Sequence, residues 1–237
     1  MEASTLGIIE SLMKTGFTKH ESILYITLCK EGELTGYEAA KISGIPRSNA
    51  YLALAGLVEK GGAYRIESDV VKYTAVPVCE LISNIRRQLN EILNYIEKNI
   101  PSKDITSEPY ITITGKNHII NKMTNIIAQA RERIYLSMSS HELEYIKSEI
   151  VKARDRGLKI VIITSSSFNM NGVIIYHNEK QPGQIRLIAD TSYVLTGEII
   201  NENTSTCLFS KNRNLVHLIK DSLTNEIKLI QAENNKH

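Results

Sequence analysis

The sequence predicts an α+β domain followed by an α/β domain, with one long helix between them. Three observations support this fold class. The chain has 237 residues, which is more than one small domain usually needs. Helix-start motifs and then two short β-rich runs occupy residues 1–78. From residue 110 onward, β-branched runs alternate with segments that have helical periodicity.

The composition limits the class of protein. Hydrophobic residues make up 42% and charged residues 23% of the chain, which is typical of a globular protein. No segment has the ~18 uncharged apolar residues of a membrane span, and the N-terminus lacks the basic and apolar regions of a signal peptide. The three cysteines, Cys29, Cys79 and Cys207, are far apart, and the six histidines show no metal-ligand spacing. We therefore expect a cytoplasmic protein with no membrane partner, no metal and no cofactor.

The elements of residues 1–78 can be assigned in order. Thr18–Glu21 and Thr35–Glu38 fit the capping-box pattern, in which a Thr and a Glu three residues later satisfy free N–H groups at a helix start. Pro46 suits the first turn of a third helix, and the two β-rich runs within 63–76 indicate a hairpin. Helix, short helix, turn, helix and hairpin together make a winged helix-turn-helix.

In a winged helix, the third helix enters the major groove of DNA and presents its N-terminal residues to the bases. Here those residues are Arg47, Ser48 and Asn49. Arg can pair with guanine, Asn can pair with adenine, and Ser can bond a base or a phosphate. Arg65 and Lys72 of the hairpin can reach the phosphate backbone. The predicted interface with double-stranded DNA consists of Arg47, Ser48, Asn49, Tyr51, Arg65, Lys72 and Tyr73.

A second interpretation of this domain stays open at this point. Residues 1–78 carry 8 basic and 9 acidic residues, and the third helix leaves Leu52, Ala55 and Val58 partly exposed. Winged helices also serve as protein-interaction modules, for which an apolar helix face is suited. The net charge of the whole chain is only +2, so any contact with DNA must come from a local basic patch.

Residues 79–100 predict a dimerisation helix. Five aliphatic residues repeat with spacings of 3, 4, 3 and 4, which is the a/d pattern of a coiled coil: Ile82, Ile85, Leu89, Ile92 and Ile96. A homodimer would match the two-fold symmetry of palindromic DNA half-sites. The alternative is one amphipathic helix that packs against its own domains. Residues 101–109 are polar and bounded by prolines, and they predict a linker.

Residues 110–237 predict a second domain of the α/β class. Residues 158–164 form a nearly continuous apolar run, which is typical of a strand that is buried on both faces. Polar side chains follow two of the predicted strands, at Ser139 with Ser140 and at Thr164 with Ser165. Ligands bind at the carboxyl ends of strands in such sheets, so these residues are candidates for holding a polar or anionic effector. Alternatively, they only cap helices and form loops.

Four motifs of the first domain resemble the N-terminal domain of the TrmB family. They are Gly16-Phe17-Thr18-x-x-Glu21, Gly44-Ile45-Pro46-Arg47-Ser48-x-x-Tyr51, Glu59-Lys60-Gly61 and Tyr73-x-Ala75-Val76-Pro77. Members of this family are winged-helix transcriptional regulators, mostly archaeal. The resemblance implies a DNA-binding transcriptional regulator, and it also implies a dimer.

Residues 185–197 resemble the signature region of the phospholipase D superfamily, in which a strand bears His-x-Lys and an Asp comes after four further residues. Gly183 stands at the His position and Ile185 at the Lys position, so that only Asp190 and Gly197 match. Without a histidine nucleophile and a phosphate-binding lysine, phosphodiester transfer has no route. The TrmB family carries a phospholipase D-like effector domain that has lost this activity, so the two resemblances agree. Longer members bind sugars through a further C-terminal domain, for which we expect no room in this chain.

The sequence therefore predicts a homodimeric, TrmB-like transcriptional regulator that is not an enzyme. Its second domain, which is phospholipase D-like and non-catalytic, would sense an effector or contribute to dimerisation. The candidate effector-binding residues are Ser139, Ser140, Thr164, Ser165 and Asp190. Two alternatives remain. One is an architectural DNA-binding protein without an effector, and the other is a phosphodiesterase or nuclease, which the missing His and Lys disfavour.

Overall fold

The computed structural model describes residues 3–101, 110–165 and 167–234. The chain forms two compact units, residues 1–103 and residues 104–237. Most of the predicted linker, residues 102–109, lies outside the described residues. Within the described part of the chain, no helix is long and apolar enough to cross a membrane.

The N-terminal unit is a winged helix-turn-helix that continues into a long helix, as the sequence predicts. Its first helix, at residues 3–14, precedes the elements that the sequence indicates. The elements are α1 (Ala3–Lys14), α2 (Lys19–Glu31), β1 (Leu34–Thr35), α3 (Gly36–Ser43), α4 (Arg47–Glu59), β2 (Ala63–Ile66), β3 (Lys72–Ala75) and α5 (Val78–Asn99). The three strands form an antiparallel sheet in the order β1, β3, β2. The hairpin of β2 and β3 is the wing.

Both predicted capping boxes are confirmed, and one of them also fixes the end of α4. The backbone N–H of Thr18 donates to the Glu21 carboxylate at 2.6 Å, and the N–H of Glu21 donates to Thr18 Oγ1 at 3.3 Å. The same carboxylate accepts from Lys60 Nζ, just after α4, at 2.7 Å. Burial raises the pKa of Glu21, but the bonds from Lys60 and Thr18 outweigh this effect and hold the pKa below its usual value. Glu21 thereby ties the start of α2 to the end of α4.

The core of the N-terminal unit fixes which side of α4 can face DNA. Ala50, Leu54 and Leu57 are fully buried, as the sequence predicts, and they pack against Leu24 and other apolar residues of α2. Leu52, on the other side of α4, is 73% exposed. The first turn and one later face of α4 therefore stay accessible to a partner.

The C-terminal unit is an α/β domain built on one seven-stranded mixed sheet, in agreement with the predicted class. Its elements are β4 (Ile111–Thr114), α6 (Lys116–Gln129), β5 (Arg133–Met138), α7 (Ser140–Glu144), α8 (Lys147–Asp155), β6 (Lys159–Thr164), β7 (Ile174–His177), β8 (Gln184–Ala189), β9 (Tyr193–Glu198), β10 (Thr206–Ser210) and α9 (Arg213–Asn234). The strand order is β4, β10, β9, β8, β5, β6, β7. Strands β5, β6 and β7 are parallel, and the other pairs are antiparallel.

Helices cover both faces of this sheet. Side chains alternate along a strand, so that Leu136 and Met138 of β5 pack in the core beneath α6, α7 and α8, whereas Tyr135 packs on the side of α9. Strand β6 is buried from its second residue to its last, which confirms the prediction for the apolar run. The sequence indicates one helix after Ser139, but the structure has two, α7 and α8, because the backbone leaves the helix at Tyr145 and Ile146.

Candidate nucleic-acid interface and effector site

The first turn of α4 carries the three residues that the sequence assigns to base contacts. Arg47, Ser48 and Asn49 are all exposed, whereas Ile45 just before them is buried. Pro46 is the N-cap and makes no side-chain hydrogen bond to the helix. The free N–H groups of this turn are therefore available to a phosphate, which the positive end of a helix favours.

Tyr37 supports the Arg47 side chain, a role that sequence reasoning missed. The guanidinium carbon of Arg47 lies 4.2 Å from the centre of the Tyr37 ring. Tyr37 is the second residue of α3 and is 48% exposed. An arginine stacked on an aromatic face loses little additional freedom when it binds a base, because its plane is already oriented. An aromatic residue just after the Thr35 cap is the only sequence signal for this pair.

Tyr51, predicted as a DNA contact, also packs between the two helices of the motif. It is 48% exposed, but its ring lies against the backbone of α3 at Gly36. A Cβ atom at position 36 would lie 2.5 Å from Cε1 of Tyr51, so any larger residue there would displace the Tyr51 ring from this position. The structure thus gives the Tyr51 ring a packing role and leaves part of it accessible.

The wing presents two of the three side chains that were predicted on it. Arg65 and Lys72 are exposed at 52% and 44%, and each has only a long contact with a carboxylate, at 3.6 Å to Glu67 and 3.9 Å to Glu33. Such exposed pairs contribute little and exchange readily for phosphate. Tyr73 corrects the prediction: it is 9% exposed and belongs to the hydrophobic core, so its ring is unavailable to DNA.

The predicted dimerisation residues lie on an exposed apolar face of α5. Within the N-terminal unit, Ile82, Leu89, Ile92 and Ile96 are 50%, 48%, 55% and 42% exposed, whereas Ile85 is half-buried against the core. The first three seam positions also form one wall of an apolar groove of about 950 Å³, whose other walls are α1 and α2. The seam is therefore continuous with an apolar surface that includes α1.

The structure brings together part of the candidate effector site. Ser165 and Ser167 both donate to Ser140 Oγ, at 3.3 and 2.9 Å, where β5 and β6 end. Ser139 is nearly buried and caps α7, with its hydroxyl bonded to the Glu142 carboxylate. Thr164 is fully buried, and its hydroxyl has no hydrogen-bond partner among the described residues. Ser140 and Ser165 are thus the accessible members of this group.

Asp190 does not belong to that group, which corrects the prediction. Its carboxylate accepts the backbone N–H groups of Arg131, Glu132 and Arg133 at 2.9, 2.9 and 3.0 Å. Because β8 runs antiparallel to β5, the residue after β8 lies at the start of β5, whereas Ser139 lies after its end, about 17 Å further along the strand. Burial raises the pKa of Asp190, but the bonds from Arg133, Arg131 and Glu132 outweigh this and lower it.

The two positions that carry the catalytic His and Lys in the phospholipase D signature are tightly packed in this structure. A Cβ atom at Gly183 would lie 2.5 Å from the carbonyl oxygen of Ile199, so no histidine fits there without a backbone shift. Ile185, at the lysine position, is fully buried. The N–H of Gly183 donates to the buried Glu142 carboxylate at 3.1 Å, which makes this place a structural contact between α7 and β8. Among the described residues, no three His, Cys, Asp or Glu side chains are grouped as a metal site would require.

Two family models match the chain. The model described as "Sugar-specific transcriptional regulator TrmB" matches residues 12–79. The model described as "Transcriptional regulator TrmB, EBD N-terminal subdomain" matches residues 110–226. One match covers the winged helix, and the other covers nearly all of the sheet domain.

Three known proteins are similar to this chain, each over a different share of its own length. The chain is 29% identical over 242 residues to the uncharacterized protein YrhO of Bacillus subtilis, with 98% of this chain and 87% of that protein covered. It is 28% identical over 203 residues to the "HTH-type sugar sensing transcriptional regulator TrmBL1" of Pyrococcus furiosus, with 79% and 58% covered. The solved structure of TrmBL2, "an archaeal chromatin protein", is 19% identical over 95% of this chain and 98% of that one, with a TM-score of 0.48. This chain thus spans less than two thirds of the length of the Pyrococcus relative.

Proposed function

The chain belongs to the TrmB family of transcriptional regulators, and we propose that it binds duplex DNA as a homodimer, with α4 in the major groove and the wing on the phosphate backbone. The observation that carries this proposal is the position of Arg47, Ser48 and Asn49. All three are exposed on the first turn of a helix whose inner side is buried. The two family models, which are both described as transcriptional regulators, support it.

Base recognition is confined to the first turn of α4. Arg47, held on the Tyr37 ring, forks to the acceptor edge of guanine, and Asn49 pairs with adenine. Further along, the exposed side of α4 carries Leu52, which offers only apolar contact. Arg65 and Lys72 hold phosphates and fix the register of the helix in the groove. The protein therefore reads a short half-site, and a dimer is needed for useful specificity.

We expect Arg47→Ala and Lys72→Ala to weaken DNA binding in different ways. Arg47→Ala should cost about 1–3 kcal/mol and relax the preference at one base pair, because a bidentate base contact is lost. Lys72→Ala should weaken binding to all sequences alike and reduce the salt slope by about one unit per subunit. Sequences selected from a random duplex pool, followed by titrations at several salt concentrations, measure both effects.

Arg87→Ala is the matched control, because Arg87 is an exposed arginine of α5 and belongs neither to the first turn of α4 nor to the wing. If both test variants bind as well as this control, α4 does not face DNA and its apolar side is a protein contact. If the parent protein binds duplexes tightly but selects no sequence, the architectural alternative is correct.

Dimerisation through α5 is the second part of the proposal. The apolar seam is largely exposed within its own unit, and exposed apolar surfaces of this extent mark interaction sites. A second copy of α5 would cover the same residues on both protomers, as two-fold symmetry requires.

We also propose that the protein is not an enzyme. Gly183 and Ile185 stand where a nucleophile and a phosphate-binding lysine are required, and both are packed against neighbouring groups. The purified protein should therefore release no p-nitrophenol from bis(p-nitrophenyl) phosphate above the rate of a heat-denatured sample. A release rate that stays proportional to protein concentration after a second purification step would contradict this assignment.

An effector is proposed to bind at the ends of β5 and β6. The hydroxyls of Ser140, Ser165 and Ser167 already meet there, and they can rotate to bond a polar ligand. We further propose a cytoplasmic location, since Cys29 and Cys79 are exposed free thiols, which persist in a reducing compartment.

A further inference from the structure

Two lysines and two aromatic rings meet on the C-terminal unit where β10 ends. Tyr193 and Phe209 stand on the neighbouring strands β9 and β10, with their rings 15° from parallel and their centres 6.3 Å apart. The Lys122 Nζ atom, from α6, lies 3.9 Å from the centre of the Phe209 ring. The Lys211 Nζ atom lies 5.4 Å from the centre of the Tyr193 ring. We call these four side chains the lysine–aromatic platform.

The platform holds two positive charges, and no described carboxylate pairs with either of them. Across the described residues, neither ammonium group lies within 4.0 Å of a carboxylate oxygen. Burial over the nearly buried Phe209 ring, and then the charge of Lys211, lower the pKa of Lys122. The ring faces stabilise the two ammonium groups, but they do not neutralise them. A negative charge at this place would remove the repulsion.

Two acidic residues at this end of the sheet, Asp190 and Glu132, are already engaged, and Glu132 pairs with the Arg133 guanidinium at 3.3 Å. Asp190 follows β8 in the turn that leads to Tyr193, and both of its carboxylate oxygens accept backbone N–H groups at the start of β5. If the Asp190 carboxylate turned toward the lysines, those backbone N–H groups would be left unpaired. Neither carboxylate therefore neutralises the two lysines, whereas a bound anion can.

We propose that the lysine–aromatic platform binds a phosphate group, with Lys122 and Lys211 donating to its oxygens. Ammonium groups are strong donors to phosphate, and the two charges balance a phosphate dianion. The rings hold the lysine stems in place, so little side-chain freedom is lost on binding. Such a phosphate belongs either to a phosphorylated small molecule or to the DNA backbone. This site is separate from the proposed effector site, where the hydroxyls of Ser140, Ser165 and Ser167 meet at the other end of β5.

Inorganic phosphate is the probe that tests this site on the whole protein. We expect it to shift the NMR resonances of Cε of Lys122 and Lys211 saturably and to raise the pKa of Lys122, since a nearby negative charge favours the ammonium form. Sodium chloride at equal ionic strength should do neither. Lys122→Gln and Lys211→Gln should each weaken phosphate binding about tenfold, because one of two charge-assisted bonds is lost.

Lys228→Gln is the control, because Lys228 is exposed on α9 away from the platform, and unchanged melting curves would show that all variants fold. A flatter salt slope of DNA binding in the two platform variants identifies the DNA backbone as the source of the phosphate. If the two variants lose phosphate binding but the salt slope of DNA binding is unchanged, the source of the phosphate is a phosphorylated small molecule. Phosphate binding that is no tighter than chloride binding, or that survives both platform substitutions, overturns the proposal. This outcome does not depend on whether Arg47→Ala weakens DNA binding, so the two proposals fail separately.

Discussion

Replacing Leu89 and Ile92 together by glutamate should convert the proposed dimer into a monomer of 26.6 kDa. Both side chains are about half exposed within their own unit, so the substitutions should leave the fold intact. In a dimer they would bury four unpaired carboxylates at the seam. Unpaired charges at buried positions cost about 3–5 kcal/mol each, so the dissociation constant should rise more than about 100-fold. Light scattering at micromolar concentration measures the mass directly.

The choice of positions follows from the structure. Ile85 belongs to the same heptad seam, but it packs against the core of the winged helix. A charge there could unfold the domain as well as dissociate the dimer, and the measured mass would not distinguish the two effects. Arg87→Glu combined with Asn94→Glu is the control, because it places two carboxylates opposite the seam. A parent protein that is already monomeric, or a seam variant that stays dimeric, would show that α5 is not the contact. In the expected case, the monomer should also bind a palindromic duplex far more weakly than the dimer.

Asp190→Ala should destabilise the C-terminal unit by about 2–3 kcal/mol. The carboxylate accepts three backbone N–H groups at the start of β5, and hydrogen bonds to charged groups contribute more than neutral ones. Thermal unfolding measures the loss, and hydrogen exchange should show reduced protection of the amides of residues 131–133. Asp221→Ala, at an exposed position of α9, is the matched control. Equal stability of the two variants would rule out this role for Asp190.

The same bonds predict a dependence on pH. The folded-state pKa of Asp190 is lowered, so its stabilising effect is fully present above the ordinary pKa of an aspartate. It is lost as the pH falls through the folded-state value, where the native carboxylate takes up its proton. The stability difference between the parent protein and Asp190→Ala should therefore shrink on acidification below about pH 4.

Features with a local cause were predictable from the sequence. The capping boxes at Thr18 and Thr35 need only residues three positions apart, and the buried side of α4 follows from helical periodicity. The fold class and the family resemblance follow from many such local patterns. This explains why the order of elements was largely correct, although α1 and the break between α7 and α8 were missed.

Features that depend on chain packing were not predictable. Tyr73 was assigned to DNA from its hydroxyl, but the packing of β3 on the core buries its ring. Asp190, which matches the phospholipase D-like signature, was listed with the serines as a candidate effector-binding residue. Only the antiparallel pairing of β8 with β5 reveals that they lie at opposite ends. Tyr37 meets Arg47 only because α3 and α4 fold against each other at Gly36.

The separation of tasks along α4 has an evolutionary consequence. Ala50, Leu54, Leu57 and the ring of Tyr51 meet the packing requirements of the helix, whereas positions 47–49 contribute nothing to the core. If these three positions make the base contacts proposed above, substitutions there should change the preferred operator at almost no cost in stability. After gene duplication, two copies of such a protein can diverge toward different promoters through a few point mutations, with every intermediate still folded.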